Sequence, residues 1–238
     1  MPLKSKVLAV AATLTLVGVV STVGTLSTST VGTLPASAAT PECGQSCISI
    51  FSRAFGTYAQ PNFVEAVLDG VARVGQPVIV KRASSSDPSE DLIPSFGTVS
   101  DFFAAGMVSA DVNRHYGNLD AAQIRYAPLG VPSGLCVGLA TAAFQNEGLT
   151  LQPCATPATT VWIVDTPDSP ATAADGYFPL VNGSTRNFSR PFVMTYPRNA
   201  FPTDEPTPYI HVRHLKLLGN EHIVPDRQLW GARPGVLP

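Results

Sequence analysis

"AQIRYAPLGVPSGLCVGLATAAFQNEGLTLQPCATPATTVWIV", residues 122–164, decides how this chain is read. The runs "AQIRYAP", "GLTLQPC" and "TTVWIV" carry the β-branched, aromatic and alternating residues that suit a pleated, half-buried surface. Turn formers lie between them in "PLGVPSG" and "CATPATT". Cys136 and Cys154 bracket a stretch with almost no charge, and Trp162 follows closely. The stretch reads as short strands that bury one face.

The same pattern extends in both directions. "CISIFS", "QPVIVKR", "RPFVMTYP" and "YIHVRHLKL" are further strand signals, separated by "DPSED", "TPDSP", "NGST" and "PTDEPTP". Two helical candidates stand out, "NFVEAVLDGVARV" and "DFFAAGMVSADVNRHY", weakened by Gly70 and Gly106 respectively. Leu92 in "EDLIP", Trp162 in "TVWIV" and Trp230 in "RQLWG" lie 70 and 68 residues apart. Three more matching sets precede them: "QPVIVKRA", "GLTLQPCA" and "PYIHVRHL"; "NFVEAV", "SGLCVG" and "RPFVMT"; "CISIFS", "AQIRYAP" and "YFPLVNG". Three four-stranded pseudo-repeats, about 47–93, 122–164 and 177–231, describe an all-β chain of β-trefoil type with loop insertions. A β-sandwich is the alternative.

Residues 122–164 also resemble a ricin-B-type, or QxW, β-trefoil repeat. The marks are Ser133-Gly134-Leu135-Cys136, Asn146-Glu147-Gly148, Pro153-Cys154 and Trp162, with an intact Gln228-Leu229-Trp230 in the third repeat. Thr160 stands where that motif has Gln, and Leu92 replaces the first repeat's Trp. The resemblance implies that Trp162, Trp230 and Leu92 are core residues where the repeats converge. It also places Cys136 and Cys154 on neighbouring strands of one repeat, closed by a disulfide. In the family an Asp, an aromatic and an Asn hold the sugar. The corresponding positions here are Gly138, Gln152 and Thr159, then Ala66, Lys81 and Ser89, then approximately Thr195, His214 and Arg227. The galactose constellation is carried by none of them, so carbohydrate-binding residues are not assigned.

Compartment follows from the N-terminus and the cysteines. Lys4 and Lys6 precede the apolar "VLAVAATLTLVGVV", and Ala36-Ser37-Ala38 offers a small-residue cleavage site, the order of a secretory signal over 1–38. The mature chain, 39–238, is expected to be one secreted, extracellular domain and a monomer. No later segment approaches the ~18 apolar residues of a membrane span. Its composition and signal style look bacterial, so Asn182 and Asn187, although in glycosylation-type triplets, read as turn residues. Four cysteines in an exported chain suggest two disulfides, and proximity favours Cys136–Cys154 and Cys43–Cys47 among three connectivities. A metal site from Cys43, Cys47 and histidines would need reduced thiols outside the cell, so no metal is expected.

Charged residues make up 13% of the chain, against a usual ~25%, and the net charge is −2 with no basic cluster, which leaves no footprint for nucleic acid. His211 and His214 lie three apart on a strand and face opposite ways; neither they nor His222 and His115 form a ligand set. No nucleophile elbow, zinc-protease motif or phosphate loop occurs, so no catalytic residue and no cofactor are assigned and an enzyme is not expected. The insertions 94–121 and 198–208 are where partner-specific surface would sit. The expected function is a secreted binding protein for an extracellular glycan, or alternatively for a protein as an inhibitory module; a secreted hydrolase ranks below both. Non-reducing peptide mapping is expected to recover Cys136 crosslinked to Cys154, and replacing both by Ser should cost ~2–5 kcal/mol in a denaturant melt.

Overall fold

The computed structural model of the protein describes residues 43, 46–84, 86–196, 208–219 and 223–234, all within one compact unit, Thr40–Pro238. The expected signal 1–38, nearly all of the insertion 198–208, His222 and residues 235–238 lie outside the described residues. Among the described residues, apart from the two-residue pair Gly56–Thr57 and Gln60–Pro61, twelve strands fall into three sets of four. The first set is β1 (Ile48–Ser52), β2 (Phe63–Val67), β3 (Val78–Arg82) and β4 (Leu92–Thr98). The second is β5 (Asp120–Tyr126), β6 (Leu135–Gly138), β7 (Thr150–Pro153) and β8 (Trp162–Val164). The third is β9 (Leu180–Asn182), β10 (Phe192–Thr195), β11 (His211–His214) and β12 (Trp230–Pro234).

The pairing repeats with the sets. Within each repeat the first strand meets the last, through Ile48↔Leu92, Ala122↔Trp162 and the bridge Phe178↔Trp230. Between repeats the contacts are Leu92↔Tyr126, Trp162↔Asn182 and Ser52↔Trp230. The ladder is continuous except between β9 and β12. There the single Phe178–Trp230 bridge, with N–H to carbonyl distances of 3.1 and 2.9 Å, spans the seam.

The middle strands form three hairpins, β2–β3, β6–β7 and β10–β11. These hairpins hydrogen-bond to one another in a ring. The Val78 amide donates to Leu149 O (2.9 Å), the Leu149 amide to Ile210 O (2.9 Å) and the Ile210 amide to Val78 O (3.2 Å). Two residues further on, Val80, Leu151 and Val212 repeat the cycle onto Pro208, Gln76 and Glu147 at 2.8–3.0 Å. Three strand pairs joined end to end with three hairpins closed in a cycle make a β-trefoil. Two face-to-face sheets contain no such cycle, which rules out the sandwich.

The register defines equivalent residues and thereby the core. Ile50, Ile124 and Leu180 form one layer; Leu92, Trp162 and Trp230 another; Val67, Leu139 and Tyr196 a third, all in one apolar cluster. Trp162 and Trp230 are fully buried, and each indole N–H has a backbone acceptor, Val137 O at 3.0 Å and Met194 O at 2.9 Å. Buried indoles need such partners. The third member of that acceptor set is Glu65, paired with Val80 as Val137 is with Leu151 and Met194 with Val212. Leu92, opposite it, has no donor to offer. Cys136 and Cys154 are joined, with Cα atoms 4.9 Å apart, and tie β6 to the end of β7; Cys43 and Cys47 form the second disulfide.

Two sequence expectations change. "NFVEAVLDGVARV" is not a helix: it is β2 followed by a 3-10 turn, Leu68–Gly70, in which Asp69 (φ 56) and Gly70 (φ 64) are left-handed. Every residue of β2 is buried, on both faces of the strand. A continuous buried run has no period to separate it from a helix. The second candidate is two helices, α1 (Val99–Ala104) and α2 (Ala110–Tyr116), broken where Gly106 takes φ 72. Their buried faces join Phe51, Val64 and Ile163 in a second apolar cluster. After Trp230 the chain continues as β12 to Pro234 and pairs along the whole of β1.

Trp230→Ala removes a fully buried ring and leaves the Met194 carbonyl without its donor. Urea unfolding is expected to show a loss of ~3–5 kcal/mol. An unchanged midpoint would mean that the ring is not part of the core.

Candidate ligand-binding pockets

The trefoil places three equivalent pockets beside the second hairpin strand of each repeat, and the residues decide which are open. In the second repeat the positions are Gly138, Gln152 and Thr159. A Cβ on Gly138 would lie 2.8 Å from Thr159 O and from Thr160 Cγ2, so backbone fills the space a side chain would need. Gln152 turns onto Thr150 Oγ1 (2.9 Å). The site is sealed.

In the first repeat the positions are Ala66, Lys81 and Ser89. Lys81 Nζ bonds the Asp87 carboxylate, and reaches Ser89 Oγ and Glu90 Oε1 at 3.5 Å. Asp87 also accepts from the Ser89 amide at 2.9 Å and caps the turn Pro88–Glu90. Burial pushes the Asp87 carboxyl up, but Lys81 and the Ser89 contacts outweigh it and leave the group below its ordinary value. Here the pocket is filled by an ion pair that holds a turn.

The third repeat is different. The register pairs Val193 with Arg213, as it pairs Cys136 with Gln152 and Val64 with Lys81. The equivalent of Gln152 is therefore Arg213, one residue before the expected His214. Around it opens a cavity of about 260 Å³ lined by Arg190, Arg213, Lys216 and Arg227, with Thr195 and Gln228 at its base and no carboxylate among its lining residues. Several lining residues are held from behind. Asn187 Oδ1 accepts from the Arg190 amide (3.1 Å), and His214 stacks on Phe192 (4.1 Å between ring centres). Gln228 Nε2 donates to Thr195 Oγ1 (3.1 Å) and His214 O (3.0 Å), while its Oε1 accepts from the Lys216 amide (2.8 Å). Arg213 Nε is buried and makes no hydrogen bond among the described residues. Neither Arg190, Arg213 nor Lys216 has an ion pair to a described acid. Three unneutralised cations around one cavity form a site for negative charge.

Sequence reading missed Arg190, Arg213 and Lys216 because they lie before β10, in β11 and after β11 and form no run. Among the described residues the histidines do not gather. His211 Nδ1 lies 3.1 Å from Tyr209 O, His214 Nδ1 lies 2.5 Å from Arg190 O, and His115 belongs to α2. Among the described residues, Cys43, Cys47 and Asp91 form one close group of metal-ligand types, but its sulfurs are joined to each other. A disulfide sulfur is not a thiolate ligand.

Two buried carboxyls belong to the first repeat's departures from the others. Glu90 is the equivalent of Gln228, two residues before the core layer. Its Oε2 accepts from the Ser84 amide (3.0 Å), as Gln228 Oε1 does from Lys216, but Oε1 stands where Gln228 has its amide donor and lacks a hydrogen-bond partner. Burial, with a smaller push from the Asp87 charge, raises Glu90 to about 7 against the Ser84 amide and Lys81. Protonated, it can donate as the amide does. Glu65 is 1% exposed, neither of its carboxyl oxygens is bonded, and burial alone lifts it to about 8.

No protein-family model matches the chain, and no curated protein sequence matches it. Among solved structures, the designed three-fold symmetric protein ThreeFoil is 12% identical, with 79% of this chain and 97% of that chain covered and a TM-score of 0.49. The Rhizoctonia solani agglutinin is 14% identical over 79% of this chain and 95% of its own, with a TM-score of 0.47. A proteinase inhibitor from Coprinopsis cinerea is 15% identical over 80% and 97%, with a TM-score of 0.43.

Both buried glutamates have folded values above the ordinary 4.5. The folded state therefore keeps protons that the unfolded chain releases, and stability falls as pH rises through that interval, to about 7 for Glu90 and about 8 for Glu65. Glu65→Gln is expected to flatten this slope and raise stability at pH 8 by on the order of 2–4 kcal/mol, and Glu90→Gln by less. Urea midpoints at pH 5 and pH 8 measure it. Equal slopes in wild type and Glu65→Gln would show that Glu65 titrates normally.

Proposed function

We propose that the protein is an exported β-trefoil binding module whose ligand site is the cationic pocket of the third repeat. The observation that carries this reading is the contrast among equivalent positions: one repeat is sealed by backbone, one is filled by its own ion pair, and the third opens onto Arg190, Arg213 and Lys216. Export rests on the signal-like N-terminus, and the two disulfides support it.

The ligand class follows from the lining. A neutral sugar needs a carboxylate to accept from its hydroxyls and a ring face to stack on, and Thr195 and Arg213 occupy those places. Guanidinium and ammonium groups pair instead with carboxylate, sulfate or phosphate, the guanidinium in a bidentate fork. The QxW resemblance makes a saccharide the class of first choice, so the proposed ligand is an acidic glycan bearing uronate or sulfate groups. Thr195 and Gln228 supply hydrogen-bonding groups at the pocket base for ring hydroxyls.

Binding is expected to be saturable for polygalacturonate or sulfated oligosaccharides, weak for their neutral counterparts, and steeply weakened by salt. Arg213→Glu should reduce affinity at least about tenfold, equivalent to ~1.4 kcal/mol, without moving the melting temperature by more than a few degrees. Equal binding of neutral and acidic glycans, or none of either, would defeat the reading.

A further inference from the structure

A second cavity, of about 520 Å³, lies at the insertion between the first and second repeats. Its walls come from α2, from the loop after β8 and from Phe188 after β9. Two carboxyls line it, Asp165 and Asp168. Asp165 is 2% exposed, and its Oδ1 accepts from the Asp168 amide at 3.3 Å. Tyr116, 4% exposed, also lines the cleft, and its hydroxyl makes no hydrogen bond among the described residues. Beside these acceptors the His115 ring is stacked on Phe188 at 4.7 Å, with Tyr116 edge-on at 6.0 Å.

What this cleft lacks is a cation. Buried carboxyls are ordinarily offset by Arg or Lys. The guanidinium in the lining, Arg114, is 77% exposed and turned to Asp111 at 2.8 Å. The groups facing Asp165 are Asp168, Tyr116 and the exposed His115. Burial, then the Asp168 charge, raises Asp165 to about 7, and no positive group acts on it. Tyr116 is raised by burial and by the same two aspartates. The cleft is a set of acceptors with aromatic faces at its side.

We propose that this cleft binds a primary ammonium group carried by a small hydroxylated molecule, with a hexosamine as the representative ligand. An ammonium has three donors and no acceptor. Asp165, Asp168 and the Tyr116 hydroxyl supply three acceptors, and the stacked His115 and Phe188 rings wall one side. Ser100, Asn113 and Asn118 line the polar remainder of the cavity, which suits hydroxyl groups better than the methylene chain of a lysine. This site is separate from the cationic pocket and opposite in charge, so it stands or falls independently of the acidic-glycan reading.

The test is calorimetry on the wild-type protein at pH 7 with glucosamine, N-acetylglucosamine, glucose and Nα-acetyl-lysine methylamide. Glucosamine is expected to bind saturably and at least about tenfold more tightly than the other three. Asp168→Asn, at an exposed position that should not disturb folding, should remove most of that preference, and Asp165→Asn should do the same in a protein that still melts cooperatively. Carboxyl carbon NMR gives a second reading: saturating glucosamine should move the Asp165 titration midpoint down by about one unit or more, because a bound cation favours the ionised form. Binding of glucose or N-acetylglucosamine within about threefold of glucosamine overturns the proposal. So do an unchanged affinity in Asp168→Asn, an unmoved midpoint, or preference for the lysine derivative.

Discussion

The ring of backbone hydrogen bonds from Val78 to Leu149 to Ile210 and back is the constraint on which the rest of the structure depends. All three residues are buried, so their amides and carbonyls have no water to fall back on. Each hairpin finds its missing partner only in the next one, and the cycle closes only when all three are present. The ring also sets which residues are equivalent. Once Val78, Leu149 and Ile210 are matched, the register carries every other layer with them, including the Leu92, Trp162 and Trp230 layer. Contacts this distant in sequence are slow to form, and none of them is stable until the last repeat arrives.

A symmetric backbone with asymmetric side chains must absorb the differences somewhere. In the third repeat Gln228 ties the Lys216 amide to Thr195 and His214, and Trp230 fills the core. The second has Trp162 in the core but Thr160 at the position of Gln228, and Gln123 reaches across to Thr160 Oγ1 at 2.7 Å and Cys154 O at 2.6 Å. In the first repeat both positions differ. Leu92 contributes no donor, and Glu90 puts an oxygen where an amide nitrogen belongs. Its mismatch is relieved by protonation, and Glu65, another buried carboxyl without a hydrogen bond among the described residues, belongs to the same repeat.

The same asymmetry distributes function. Lys81 is committed to Asp87 and Glu90, and Gly138 is crowded by Thr159 and Thr160. Around Arg213, by contrast, Arg190, Arg213 and Lys216 have no ion pair to a described acid. A net charge of −2 therefore conceals two local concentrations of opposite sign. One is the group of cations around Arg213, and the other is the pair of carboxyls beneath α2.

Strand identity and repeat order were legible in the sequence, since each of the twelve strands begins or lies within a segment matched at a common spacing and bounded by Gly and Pro turns. β2 was legible as a strand by its place in the repeat and misread as a helix by its composition, because a segment buried on both faces has no polar side to mark its period. The two tryptophans were readable as core by their place in the repeat. The sites were not. Arg190, Arg213 and Lys216 converge because β10 and β11 pair in one register, and a shift of one residue is the difference between Arg213 and His214. Asp165 and Tyr116 meet because an insertion folds back on the loop after β8. The chain by itself determined an alternation and a repeat, which are local properties of neighbouring residues. Which charges met, and which were left without partners, was decided by packing, because charge pairing depends on distances in space that the order of residues does not contain.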